Sequence, residues 1–218
     1  MTNTRKCGII LVVNQQGSVN MQNLLNEVNS KLQDLVDDTD IENENDIKRT
    51  KNYLAALSDH IDSIKKERNF VLTEEQDSIL KRGNIVWVDF GFNIGSEFGG
   101  RHPAIILKRL KQINQIIVIP LDSSSDNPIT EQKREESDYW IKIQGEEIWG
   151  MKDKIVRWAN VFNIAQISNI RVDFFDLDGN YKFFSVDYEV LDRIDKKIEI
   201  FGYNSFRKKS KKHLTNNK

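Results

Sequence analysis

The spacing of apolar residues divides the chain near residue 80. Between residues 20 and 80, apolar side chains recur every three or four positions, which predicts two amphipathic helices and a short third one. The acidic connector Asp37–Asp46 separates the first two helices, and Thr73 with Gln76 has the spacing of a capping box that would open the third. We therefore predict that residues 1–80 form a helical N-terminal extension containing a helical hairpin.

After this extension the pattern is typical of strands. Short runs rich in Ile, Val, Phe and Trp alternate with glycine and polar clusters, which favours a small all-β barrel or sandwich. The runs are, in order, NIVWVDF, HPAIILKRL, QIIVIPL, DYWIKI, KIVRWANVF, RVDFFDL and YKFFSV. The Asp-Gly pair within Asp176–Tyr181 predicts a hairpin, and an apolar stripe predicts a final helix over roughly Asp187–Phe201. These signals place a barrel domain at residues 81–203 and a basic tail at 204–218.

Length and composition exclude several classes of protein. The 218 residues suit one large domain or two small ones, and no apolar run approaches the roughly 20 residues of a membrane span. Cys7 is the only cysteine, so neither an internal disulfide nor a thiolate metal site is expected. We expect a cytoplasmic protein without a bound metal or other cofactor, and no membrane partner.

The charge is distributed unevenly. Residues 1–80 carry 9 basic and 14 acidic side chains, whereas residues 81–218 carry 23 and 19. The run RKKSKKH at 207–213 concentrates positive charge. It is either a solvated chain end or a segment that attracts a polyanion such as RNA.

The loop GFNIGSEFGG at 91–100 is the first candidate site. It lacks the Gly-Lys-Ser/Thr ending of a phosphate loop and joins two strands rather than a strand and a helix, so ATP or GTP hydrolysis is not expected. The sequence also has no Gly-x-Ser-x-Gly elbow and no Cys/His cluster for zinc. What remains is a glycine-rich loop followed closely by Arg101 and His102.

Polar residues at strand ends extend this candidate site. Asp122, Ser123 and Ser124 end one predicted strand, and Arg157 lies within another. Arg157 either occupies the solvent face of an alternating strand or projects into a groove, where its fork of donors suits phosphate. Such a set fits metal-free cleavage of a phosphodiester, which needs a base, an acid and cations that stabilise the phosphorane.

Three blocks resemble the PemK/MazF toxins. Residues 80–107 resemble the family's opening, in which Arg-Gly-[Asp/Glu]-Ile is followed by Gly-Ser-Glu-x-Gly-Gly-x-Arg-Pro. QIIVIPLDSS resembles the strand that usually ends Pro-Leu-Thr-Ser, and KIVRWANVFNIAQISNIRV resembles the later Val-Val-Arg block with its short helix. The resemblance covers about residues 80–202.

This resemblance implies a fold and an activity. It implies an α+β fold: an SH3-like β-barrel with a C-terminal helix, here with the helical N-terminal extension. It also implies a toxin of a toxin–antitoxin system, a homodimer inhibited by a cognate antitoxin protein. Members are sequence-specific, metal-independent endoribonucleases, so we expect single-stranded RNA as the substrate.

The resemblance also assigns candidate site residues, with three departures from the family pattern. His102 stands where the family has arginine, Asp122 where it has threonine, and Ala159 where it has aspartate. The expected catalytic residues are His102, Arg101, Arg157, Asp122 and Ser123. The expected substrate-binding residues are Ser96, Glu97, Phe98, Gly99, Gly100 and Ser124.

The departures leave two outcomes open. Either His102 takes over proton transfer, or the substitutions disable catalysis and leave an SH3-like module that binds RNA or a peptide. The N-terminal extension, which lies outside the resemblance, has three possible roles: a dimerising arm, a mount for another protein, or an acidic blocker of the RNA groove.

Overall fold

The computed structural model describes residues 15–92, 98–150, 155–174 and 183–214, and the chain divides into two compact units, residues 1–55 and 56–218. The helices are α1 (Gln15–Asp37), α2 (Glu44–Glu67), α3 (Glu74–Ile79), α4 (Pro128–Glu135) and α5 (Tyr188–Leu214). The strands are β1 (Asn84–Asp89), β2 (Arg101–Leu110), β3 (Gln115–Ser123), β4 (Trp140–Ile143), β5 (Ile148–Trp149), β6 (Arg157–Asn160), β7 (Ala165–Ser168), β8 (Val172–Asp173) and β9 (Phe184–Val186).

The first unit contains α1 and the beginning of α2. Both helices are predicted from the apolar spacing, and α1 starts at Gln15, earlier than the pattern indicates. Thr39 Oγ1 lies 2.9 Å from Thr50 Oγ1, across the connector between the two helices. Apolar side chains of α1 remain open to solvent, with Leu24 55% and Leu25 51% exposed. Over the described part of the chain, we find no helix whose length and apolar character would let it span a membrane.

The second unit is built on an antiparallel, nearly closed barrel. Over the described residues the strand order is β4-β6-β3-β2-β1-β9-β5, with β7 also paired to β3 and β8 to β1. Strand β3 holds this arrangement together, because it pairs with β2 along one edge and with β7 and then β6 along the other. The SH3-like α+β fold expected from the sequence is confirmed.

Two core clusters bury the two faces of β1, β2 and β3. Ile85, Ile105 and Ile119 belong to the first core cluster, which α5 covers with Val190, Leu191 and Ile194. The end of α3 covers the second core cluster with Ile79 and Leu80. This cluster contains Val86, Val88, Ala104, Ile106 and Val118. Because both faces are covered, these strands appear in the sequence as continuous apolar runs rather than as alternating ones.

The start of α3 follows a local signal, whereas the end of α5 does not. Thr73 caps α3 as predicted: its hydroxyl accepts from Gln76 N, and the Gln76 side chain accepts from Thr73 N. The closing helix α5 continues past the predicted end at Phe201 to Leu214. The Asp-Gly hairpin predicted within residues 176–181 lies outside the described residues.

Candidate active site

His102 and Asp122 are neighbours across the β2–β3 ladder. Ala104 pairs with Pro120, so the antiparallel register brings His102 opposite Asp122, two residues further along. His102 Nδ1 lies 3.9 Å from Asp122 Oδ1, and the two side chains are 34% and 25% exposed. Both residues lie on the same strand face as Ala104 of the second core cluster, and Asp122 is next to the last residue of β3. The pair is therefore a half-buried imidazole and carboxylate that solvent can still reach.

Arg134 of α4 holds the other oxygen of this carboxylate. Its Nη2 lies 3.3 Å from Asp122 Oδ2, and its Nη1 donates to the Ser123 carbonyl at 2.9 Å. The guanidinium carbon lies 4.8 Å from the centroid of the Trp140 ring, and the side chain is only 14% exposed. Asp122 thus lies between an imidazole on one side and a fixed guanidinium on the other.

Glu131, one turn earlier on α4, fixes Arg134 in turn. Its carboxylate accepts from Ser125 N at 2.7 Å, from Trp158 Nε1 at 2.8 Å and from Arg134 Nη1 at 3.2 Å. Burial raises the pKa of Glu131, but these hydrogen bonds and the charge of Arg134 outweigh it and leave the pKa below its ordinary value. Glu131 is therefore an ionised carboxylate that ties α4 to β6.

The chain forms α4 at this place for local reasons. Asn127 caps the helix by accepting from Ile129 N at 3.0 Å, and Pro128 occupies the first helical position. Glu131 and Arg134 are three residues apart, so they lie on the same side of the helix. Asn-Pro followed by this acidic and basic pair is the signal that could have indicated both residues, which the sequence reasoning missed.

Ser123 and Arg157 form a second pair. Arg157 Nη1 donates to Ser123 Oγ at 3.0 Å, and the two residues are register partners on β6 and β3. Arg157 is buried, at 8% exposure, rather than on a solvent face. It shares the strand face of Ala159, which belongs to the first core cluster, whereas Asp122 and Trp158 share the opposite face.

Arg101 points away from His102, its neighbour in sequence. It makes an ion pair with Asp173 of β8, and its guanidinium carbon lies 5.4 Å from the centroid of the Trp87 ring. Its side chain is 58% exposed. Arg101 is therefore the more accessible arginine of the two assigned from the sequence, and Arg157 the enclosed one.

The described end of the glycine-rich loop packs onto His102. The Phe98 ring centroid lies 4.4 Å from that of His102 and 5.2 Å from that of Phe90. Gly100 has φ +81° and donates to Gly91 O at 2.6 Å, which closes the base of the loop. A Cβ on Gly100 would lie 3.9 Å from His102 Nε2, so this nitrogen faces the loop.

Gly99 and Ser124 are the remaining substrate-binding candidates that the structure describes. Gly99 links Phe98 to Gly100 and is half-buried. Ser124 N donates to Val156 O at 3.1 Å, beyond the end of β3. Ser96 and Glu97 lie outside the described residues.

This arrangement can move a proton. If the Nδ1–H of His102 faces Asp122, then Nε2 carries the lone pair, and it is Nε2 that faces the loop. A carboxylate that faces one imidazole nitrogen favours the tautomer with the proton on that nitrogen; at 3.9 Å the two atoms are in ion-pair range rather than hydrogen-bond range. The imidazole of His102 can therefore act as a general base at the mouth of the loop.

Comparisons with known proteins find one family model and several solved structures that match this chain. The model of the family described as "PemK-like, MazF-like toxin of type II toxin-antitoxin system" matches residues 81–201, more than half of the chain. The crystal structure of MazF (Form-I) from Deinococcus radiodurans is 16% identical and covers 56% of this chain and 96% of its own, with a TM-score of 0.40. For the MazE-MazF (Form-II) structure from the same organism the values are 15%, 57%, 96% and 0.37.

The comparison with curated proteins gives no match. The family match spans the barrel strands, the loop from Gly91 to Gly100, α4 and the first turns of α5, and it includes both His102 and Asp122. On this match, the chain belongs to the family of PemK-like, MazF-like toxins of type II toxin–antitoxin systems.

Proposed function

We propose that this protein is a metal-independent endoribonuclease that cleaves single-stranded RNA and serves as the toxin of a toxin–antitoxin pair. The observation that carries the proposal is the His102–Asp122 pair, 3.9 Å apart, inside the family match. These two residues replace the family's arginine and threonine at matching positions, and together they form a proton-transferring group.

The reaction can be written with His102 as the base. Its Nε2 takes the proton of a 2′-hydroxyl while that oxygen attacks the adjacent phosphorus. The O2′–P bond forms, the P–O5′ bond breaks, and the 5′-oxygen receives a proton from solvent. The products are a 2′,3′-cyclic phosphate and a 5′-hydroxyl, and no water is consumed in this step. A positioned base contributes roughly 10²–10⁴-fold to the rate.

Other residues bind and orient the RNA. Arg101 is the accessible cation, so we assign it to the phosphate, which would replace Asp173 as its partner. Phe98 packs on His102, and we assign its ring to stacking with a base. The backbone of Gly99 and Gly100 allows close approach, and Ser96, Glu97 and Ser124 complete the proposed RNA contacts. Arg157, which is buried, is assigned a different role: it fixes Ser123 at the end of β3.

We further propose sequence-specific cleavage, a homodimer and inhibition by a cognate antitoxin protein. Family membership supports all three. Sedimentation of the purified protein tests the dimer, and inhibition of cleavage by the product of an adjacent gene tests the antitoxin.

The decisive experiment is incubation of the purified protein with a long unstructured RNA in EDTA, followed by mapping of both new ends. We expect discrete cuts with cyclic phosphate ends. His102→Ala should reduce cleavage at least about 10²-fold. His60→Ala is the matched control, because His60 is an exposed histidine on α2, and it should cleave at the wild-type rate. Equal cleavage by wild type and H102A would refute the role of His102.

One observation favours the second candidate, an SH3-like module that binds RNA or a peptide without cleaving. Ala159 is fully buried between its register partners Leu121 and Ile141, so the family's carboxylate at this position is replaced by core packing. Binding of RNA in a filter or fluorescence assay, without any cut in the same samples, would establish this alternative.

A further inference from the structure

Arg134 is a partly buried cation that the proposed reaction does not use directly. Its guanidinium makes three polar contacts in different directions, to Asp122 Oδ2, to the Ser123 carbonyl and to Glu131 Oε1. The planar fork of arginine can satisfy these partners at the same time, and a lysine ammonium at the same place cannot reproduce that geometry. The side chain is 14% exposed, so little solvent competes for these contacts.

The contact with Asp122 bears on the proposed base. A free aspartate rotates about two side-chain torsions, and only some of its rotamers present an oxygen to His102. Arg134 occupies Oδ2 at 3.3 Å, which leaves Oδ1 toward His102 Nδ1 at 3.9 Å. The orientation of the carboxylate is therefore fixed by a residue twelve positions later in the chain.

We propose that Arg134 is a positioning residue: it holds Asp122 in the rotamer that keeps the proton of His102 on Nδ1 and leaves Nε2 to face the loop. The inference rests on the proposed function for its kinetic consequence, but the position of the proton can be observed without any substrate. Glu131 contributes to the same positioning, because it accepts a hydrogen bond from Arg134 and is itself held by hydrogen bonds from Trp158 Nε1 and Ser125 N.

A loss of activity on substitution of Arg134 would also have a purely structural explanation, and the experiment has to distinguish the two. The Arg134 guanidinium also stacks on Trp140, so its loss could disturb the packing of α4 on β4 without any effect through His102. Activity of a single variant does not distinguish the two explanations. A double-mutant cycle with His102 and the tautomer of His102 do distinguish them.

The kinetic experiment compares wild type, R134Q, H102A and the double variant on RNA in EDTA. We expect R134Q to lower kcat roughly 10²-fold with little change in KM, the size expected when a reacting group is misplaced by about 1 Å. In the H102A background, R134Q should cause no further loss, because its effect passes through the imidazole. Lys133→Gln on the same helix is the control, since Lys133 is exposed, and it should match wild type.

The spectroscopic experiment records the ¹⁵N and ¹H correlations of the His102 ring at mildly alkaline pH. We expect the Nδ1–H form in wild type and a mixture of tautomers in R134Q. If R134Q does not fold, R134K supplies the second variant, since it keeps the charge and the stem but loses the fork; it too should mix the tautomers.

The outcomes separate the inference from the proposed function. An Nε2–H tautomer in wild type, an unchanged tautomer in the variant, or losses that multiply in the double variant would overturn the role of Arg134. A protein that never cuts RNA but shows the expected tautomer change would refute the ribonuclease and leave the positioning role intact.

Discussion

Glu131→Gln is the substitution whose effect on stability follows most directly from the structure. The carboxylate accepts from Ser125 N and Arg134 Nη1 through Oε1 and from Trp158 Nε1 through Oε2. A glutamine amide keeps one acceptor oxygen and places an NH₂ group where the other was. In either orientation, at least one N–H donor that now has a partner would face another donor.

The magnitude can be worked from these contacts. A buried donor without a partner costs about 1–3 kcal/mol, and hydrogen bonds to a charged group contribute about 1.5–3 kcal/mol. Trp158 is 1% exposed, so water cannot replace the lost acceptor at its Nε1. We expect E131Q to lower the free energy of unfolding by about 2–4 kcal/mol.

The effect should depend on pH in one direction. Burial raises the pKa of Glu131, but the hydrogen bonds from Ser125 and Trp158 and the charge of Arg134 lower it more, so the folded pKa lies below the ordinary value of 4.5. The stabilisation is therefore fully present above pH 4.5, the unfolded pKa, and is lost as pH falls through the folded pKa. The difference between wild type and E131Q should shrink over that acidic range.

Urea unfolding followed by tryptophan fluorescence is the assay. All four tryptophans of the chain lie in the unit formed by residues 56–218, so the fluorescence signal reports on the barrel. They are Trp87, Trp140, Trp149 and Trp158. Glu135→Gln on the same helix is the control. Glu135 is 54% exposed and pairs with Lys142, so its loss should change stability by about 0–1 kcal/mol. Equal stabilities of E131Q and E135Q at neutral pH would refute the reasoning.

Two further stability predictions concern the helices that cover the core clusters. Asp77→Asn should cost about 1 kcal/mol, because Arg109, 11% exposed, loses a charged acceptor that is itself partly screened by solvent. Burial raises the pKa of Asp77, but hydrogen bonds from Arg109 and Lys111 lower it below its ordinary value. In urea unfolding, the difference in stability between wild type and D77N should therefore vanish as pH falls through the folded pKa. A difference in stability that stays constant with pH would contradict this. Gly83→Ala should cost about 1–3 kcal/mol, because φ is +88° and the new Cβ would lie 3.2 Å from Leu191 Cδ1; an unchanged thermal midpoint would contradict this.

The sequence by itself determined the long helices and most of the strands in their order, but not α4, β5 or β7. Helical spacing, the Thr73–Gln76 capping box and the apolar runs are local signals, and each corresponds to a helix or strand in the structure. The family resemblance also follows from the sequence, because the loop and strand motifs occupy consecutive positions. Even so, α5 extends beyond its predicted end at Phe201, although Gly202, which follows directly, is a residue type that commonly ends helices.

Only the tertiary structure decided which polar residues meet. In β2 and β3 both faces are covered, so the sequence shows no alternation from which the direction of His102, Asp122 or Ser123 could be read. The register between strands assigns His102 and Asp122 to one face and Ser123 and Arg157 to the other. Register depends on contacts between distant segments, and a shift of one residue would exchange the two faces.

The same reason explains why Arg134 and Glu131 escaped the sequence analysis. In the sequence they are an ordinary charged pair on a short polar helix, a pattern that usually marks a solvated surface. Their importance comes from the packing of α4 against the end of β3 and against β4 and β6, which brings Asp122, Trp140 and Trp158 within reach. The sequence specified the chemistry available at the site, and the packing of one helix decided which of those groups act together.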